Sequence, residues 1–135
     1  VPNNDILEEL VRRVSTLERK LKTVELEREK YSIYNVNTPD QLTANVNDYD
    51  IGDYDILFMN SDASRNISGL DGGLMGRRLI IDVFGSNDIV ILHNSGLSSA
   101  ENRISTPTAA SVTLSPRHAG YFIYTGAIWD LRFYV

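Results

Sequence analysis

Cysteine is absent from the 135-residue chain. That excludes a disulfide framework and a thiolate metal site, and it leaves the redox compartment open. Histidine occurs twice, at His93 and His118, so a histidine-dependent mechanism has only two starting points. No Gly-x-Ser-x-Gly elbow supplies a nucleophile, and no Gly-Lys-Ser/Thr follows the glycines of residues 69–76 to make a phosphate cradle. No apolar run is long enough to cross a membrane, and the N-terminal stretch is polar where a signal peptide needs an apolar core. Lysine is missing after Lys30, and Glu101 is the only glutamate beyond residue 31. The chain opens on Val1 without an initiator Met, which reads as a fragment or a processed form.

What is present begins with a heptad repeat over residues 7–31. Leu7, Val14 and Leu21 occupy a, and Leu10, Leu17 and Val24 occupy d, with Arg28 at the last a and Tyr31 at the last d. Arg13 and Lys20 sit at g, and Glu18 and Glu25 at the following e. A parallel bundle pairs Arg13 with Glu18 and Lys20 with Glu25 across the interface, whereas an antiparallel one sets like charges together. Val14 with Leu17 leans toward two strands, Leu21 with Val24 toward more. Ile6 at g and Val11 at e widen the apolar stripe beyond what a dimer needs. Arg13-Val14-Ser15-Thr16-Leu17-Glu18 resembles a trimer-favouring signature, and a parallel trimer is the expectation. The alternative is one amphipathic helix docked on its own domain. Asp5 and Glu8 have capping-box spacing, and Glu8–Arg12, Glu9–Arg13 and Glu18–Lys22 are favourable i, i+4 pairs. The helix is neutral, with seven basic and seven acidic residues.

Residues 32–135 form the second expected domain. They hold six arginines against eleven acids, which gives the whole net charge of −5 and disfavours nucleic acid as a partner. β-branched and aromatic residues take over at Tyr31-Ser32-Ile33-Tyr34. Thr38-Pro39-Asp40 marks a turn that opens one helical turn through Leu42. Strands are expected at 55–59, 66–70, 78–84, 89–92 and 111–114, then a hairpin of 120–124 and 128–135 around Thr125-Gly126-Ala127. Ile89–Leu92 is apolar on both faces, as if a neighbouring subunit covered one. Turns every eight to twelve residues, with no internal sequence repeat, point to an all-β sandwich, barrel or prism.

Ordered segments carry a family resemblance. They are Asp53-Tyr54-Asp55-Ile56-Leu57, Ile67-Ser68-Gly69-Leu70, Gly76-Arg77-Arg78-Leu79-Ile80-Ile81, Gly85-Ser86 and Ile89–His93. Asn102-Arg103-Ile104, Val112-Thr113-Leu114-Ser115-Pro116 and Ile123-Tyr124…Ile128-Trp129 complete the series. Over residues 49–133 the chain resembles a β domain common in fibre and baseplate proteins of tailed bacteriophages. The resemblance implies a homotrimeric virion component, found in tail fibre, baseplate or head fibre, with no catalytic signature. It also implies that the Gly-Arg, Asn-Arg and Tyr…Trp positions are structural.

Candidate chemistry has a bland reading beside each sharp one. Three copies of His93 or His118 on a trimer axis would suit a metal or anion, but packing or exposure explains either. Asp48, Asp50, Asp53, Asp55 and Asp62 offer hard oxygens for Ca²⁺, yet Gly52 and Met59 break the EF-hand spacing. Gly69, Gly72, Gly73 and Gly76 read as a tight connection, and Asn66-Ile67-Ser68 matches a glycosylation sequon. Tyr121, Phe122, Tyr124, Trp129, Phe133 and Tyr134 form a sugar platform or a core and interface. No paired carboxylates support a glycan-cleaving enzyme.

The sequence therefore yields a mainly β chain. A parallel trimeric coiled coil (residues 1–31) leads into an all-β trimeric domain (32–135), with no cofactor and no enzymatic activity expected. The expected role is a structural and adhesive virion component. Its partners are its own copies, other virion proteins and a host-surface glycan or protein; the receptor-binding residues are left open, with Asn94–Arg103 and Ser115–Ala119 as candidate loops. The alternative is an architectural fibre or decoration protein that binds no receptor.

Overall fold

The structure, a computed structural model, describes residues 2–31 and 34–135, with the side chains of 4–23 and 34–135. The expectations for the side chains of Val24, Glu25, Arg28 and Tyr31, and for Ser32 and Ile33, lie outside the described residues. Two units divide the chain, the second running Tyr34–Val135.

Helix α1 spans Pro2–Tyr31. It begins ahead of Asp5, so Asp5 is not the expected cap. It stands inside the first turn, where its charge still favours the helix dipole. Arg13 donates through Nε to Glu9 at 3.1 Å. Arg12 pairs with the same Glu9, one turn back, in place of the expected Glu8. Such exposed pairs contribute a few tenths of a kcal/mol each. The seam has no partner within the helix itself: Leu7, Leu10, Val14, Leu17 and Leu21 are 51–64% exposed. Among the described residues no helix is long and apolar enough to cross a membrane.

The second unit contains eleven short strands. They are β1 (Val36–Asn37), β2 (Tyr49–Asp50), β3 (Ile56–Met59), β4 (Arg65–Ile67), β5 (Leu70–Asp71), β6 (Arg78–Val83), β7 (Ile89–Ile91), β8 (Ile104–Ser105), β9 (Val112–Leu114), β10 (Ala119–Tyr124) and β11 (Trp129–Tyr134). Their pairing is solenoid-like. Val36 lies beside Ile56, and Ile56 beside Ile80, all in parallel register. A second flank stacks Val46, Ile67 and Ile91 in the same sense, and a third pairs Tyr49 with Leu70. Each circuit of the chain thus returns to the same flank one strand further along. Hairpin β10–β11 then runs antiparallel along β6, and β9 runs antiparallel along β7. The result is a six-stranded sheet ordered β1-β3-β6-β10-β11-β8, a three-stranded sheet β4-β7-β9 and the pair β2-β5.

Alternation explains which residues fill the space between these sheets. In β6, Leu79, Ile81 and Val83 point inward while Arg78, Ile80 and Asp82 point outward, and β10 alternates likewise. Leu57, Met59, Ile67, Leu70, Ile89, Ile91, Ile104, Leu114, Phe122, Trp129 and Leu131 complete a core at 0–1% exposure. Each such side chain contributes roughly 1.5–3 kcal/mol of burial.

The mainly β class with an N-terminal helix is as expected, while the coil-like connectivity is not. A backbone repeat exists without a sequence repeat. The stretch after Thr38 forms no helical turn; it has no regular structure up to Leu42, which bridges Ser61 in parallel. Residues 65–71 are two strands, because the chain turns a corner at Ser68-Gly69. Strand β7 sends Ile89 and Ile91 into its own core, and Val90 and Leu92 are already half-buried. The last hairpin lies where expected, its turn held by Thr125, whose Oγ1 takes the Ile128 N–H at 3.2 Å.

Candidate functional site

Four of the five clustered aspartates have their carboxylates committed to the fold. Asp48 Oδ1 accepts the Ser99 N–H at 2.9 Å and the Asn102 amide at 3.0 Å. Asp50 takes the Gly52 N–H, Asp55 takes the Asn35 N–H, and Asp62 holds Arg65 through two bonds of 2.7 and 3.1 Å. Bonding from Asn102 and Ser99 keeps the Asp48 carboxyl below its ordinary range, and Arg65 does the same for Asp62. Asp53 contributes its main-chain carbonyl, which accepts from Asn35. Among the described residues no three His, Cys, Asp or Glu side chains converge as metal ligands.

Asp48 is also one corner of a polar knot. Its N–H donates to Ser98 Oγ at 3.0 Å, and Ser68 Oγ donates to Asn47 Oδ1 at 2.6 Å. That leaves Ser98 Oγ to donate to Ser68 Oγ, 2.7 Å away. Ser68, Ser98 and Asn102 are buried. Gly69 lies against the knot, where a Cβ would collide with the Ser98 side chain and the Asn102 carbonyl. The knot pins the candidate loop Asn94–Arg103 from inside, and Arg103 Nε adds a bond to the Ser98 carbonyl. Outward, that loop presents Leu97, Ser99, Ala100 and Glu101.

The remaining sites are equally local. His93 Nδ1 accepts the Thr106 N–H at 3.0 Å, which places the ring proton on Nε2. Thr106 in turn donates to the Ala110 carbonyl, so His93 anchors the 106–110 loop. His118 is exposed in the turn 115–118, beside Arg117 at φ +69°. Arg77 gathers the carbonyls of Gly72, Gly52 and Tyr54. Asn66 is half-buried, and its N–H is taken by Asn45 Oδ1.

The six C-terminal aromatics split by face. Phe122, Tyr124 and Trp129 belong to the core. Tyr124 meets Trp129 edge-on at 5.2 Å, and Trp129 Nε1 donates to the Leu70 carbonyl at 2.9 Å. Outside, Tyr121 stacks on Phe133 at 4.9 Å, and Tyr134 is part-exposed. Sequence reasoning did not find the outer row to which Tyr121 and Phe133 belong. It runs Val36, Ile56, Ile80, Tyr121, Phe133 across five adjacent strands. The strand alternation signalled it, but only the register aligns it.

Of the sequence-based trimerisation residues, the structure places Leu7, Leu10, Val14, Leu17, Leu21, Arg13, Glu18 and Lys20 on α1 as exposed side chains. Comparison with family models, curated proteins and solved structures gives no match.

Proposed function

We propose that the chain is a homotrimeric structural and adhesive component of a tailed-phage virion. In this reading α1 forms a parallel three-stranded coiled coil, and the solenoid-like β unit is displayed three times on it. The observation that carries the reading is the seam. Five of its positions are more than half exposed on a helix thirty residues long. An isolated helix with a bare apolar stripe is marginal in water, and association through that stripe supplies its stability. The acidic, lysine-free β unit fits contact with protein or glycan better than with nucleic acid. No catalytic constellation is needed, and the polar residues most suggestive of chemistry are spent on holding loops.

Light scattering coupled to size exclusion tests the core of this reading. The expected mass at micromolar concentration is three times that of the 15.2 kDa chain. A monomer overturns the architecture, and a dimer overturns the strand number.

A further inference from the structure

We infer that the outer face of the six-stranded sheet is a second contact surface between copies of this chain. This rests on the homotrimer reading but concerns a different part of the molecule. The row Val36–Ile56–Ile80–Tyr121–Phe133 places one apolar side chain from each of β1, β3, β6, β10 and β11 side by side. At about 4.8 Å between strands it extends over roughly 19 Å. Val36 is 48% exposed and Phe133 58%, and Phe58 and Ile123 flank the row on the same face. The three-stranded sheet offers a contrast, since its outward row reads Asn66, Val90, Thr113, polar on both sides of one valine. A sheet face turned to water carries polar residues, and a continuous apolar strip marks an interaction surface. A groove of about 480 Å³ deepens the strip, lined by Tyr34, Asp55, Ile56, Arg78, Ile80 and Tyr121.

Three features make the occupant a second copy. The heptads carry flanking charges that complement themselves, so this chain is built to meet its own kind. The seam ends at Tyr31 and the row begins at Val36, five residues or at most ~18 Å of chain later. Copies joined through α1 therefore hold these faces at the high effective concentration of a short tether. The face is also complementary to itself in charge. Arg78 and Asp82 project from opposite ends of β6, and neither has an ion-pair partner among the described residues. A rotated copy can set the Asp82 of one chain against the Arg78 of the next while the apolar rows meet.

The absence of native cysteine allows a direct test by thiol reactivity in the full chain. Phe133→Cys and Val36→Cys report the two ends of the row, and Thr113→Cys reports the other sheet. Each is labelled with a maleimide, alone and combined with Val14→Glu and Leu17→Glu, which disrupt the seam. Trp129 fluorescence checks the fold, and light scattering gives the mass of each sample. The expected result is labelling at least tenfold slower at both row positions in the trimer than in the seam-disrupted monomer, with Thr113→Cys unchanged. A trimer whose row positions label as fast as the monomer's overturns this interface and leaves the coiled coil standing. The face is then free for another protein or a glycan. If the unsubstituted chain is monomeric, the helix reading falls by mass alone, and the interface falls with it.

Discussion

Asp48 holds a left-handed backbone at φ +47°, a conformation aspartate and asparagine tolerate better than other side-chain-bearing residues. Its carboxylate is held ionised by the Asn102 amide and the Ser99 N–H, so its folded value lies below the ordinary 3.8. A carboxyl shifted downward contributes stability above its ordinary value and loses it as pH falls through the folded one. Asp62, lowered by Arg65, adds a second loss in the same window. Asp48→Asn keeps an acceptor oxygen and the tolerance for positive φ while removing the charge. Urea midpoints measured from pH 7 downward should fall more steeply below about pH 4 for the natural chain than for the variant. The gap between the two should therefore narrow with acid; parallel curves would mean that this carboxyl titrates alike folded and unfolded. Asp48 stood out in the sequence as an acid in a cluster, but its role did not. Ser99 and Asn102 lie 51 and 54 residues away. Arg77 was opaque for another reason. All three of its partners are main-chain carbonyls, which leave no trace in side-chain identity.

Helix α1 was legible because its signal is local, with seam and flank set by a spacing of three and four. One detail of the single helix changes the expectation for its charges. Arg13 already reaches Glu9, so a contact with Glu18 of a neighbouring copy competes with an existing pair. Lys20 has no ion-pair partner among the described residues, so in the proposed parallel trimer a contact with Glu25 of a neighbouring copy would break no ion pair made by Lys20. Lys20→Glu should therefore destabilise the assembly more than Arg13→Glu, by about 0.3–0.5 kcal/mol for each g–e′ contact reversed. Adding Glu25→Lys should restore the loss. Thermal unfolding at low salt measures both, and failure of the compensating change would mean that the helices do not run parallel in this register. In the β unit the longer strands β3, β6, β7, β9 and the last hairpin were legible, whereas the two-residue strands β1, β2 and β8 were not, and the coil was illegible. Val36, Ile56 and Ile80 stack at steps of twenty and twenty-four residues, and Val46, Ile67 and Ile91 at twenty-one and twenty-four. Unequal connections hide the period even though apolar character recurs in these two stacks. Positions such as Leu42 and Ser61 break it outright. The outer apolar row was hidden for the same reason, because its members become neighbours only through register.

In the proposed trimer, display in three copies shapes what a host contact would require. Weak single-site binding becomes useful avidity when three sites engage one surface, so the contact loops need preorganisation more than a deep pocket. The loop Asn94–Arg103 has that property. Ser98 and Asn102 are buried in the polar knot, and the segment between them turns once as a 3₁₀ helix, Ala100–Asn102, with Glu101 outward. Leu97, at the tip, is 65% exposed. A loop fixed in this way loses little conformational freedom on binding. Ser115–Ala119 offers a second site at Arg117 and His118, both exposed. Isolated protein should compete with phage particles for host cells. Either Leu97→Asp with Glu101→Arg, or Arg117→Glu with His118→Ala, should abolish that competition. Exposed substitutions of this kind shift stability by no more than about 0.5 kcal/mol, so trimer mass and unfolding midpoint should stay level. Loss of competition from one pair but not the other identifies the contacting loop. If saturating trimer leaves adsorption unchanged, neither loop touches the host. The three displayed β units would then bind another virion protein, and the chain would be an architectural fibre.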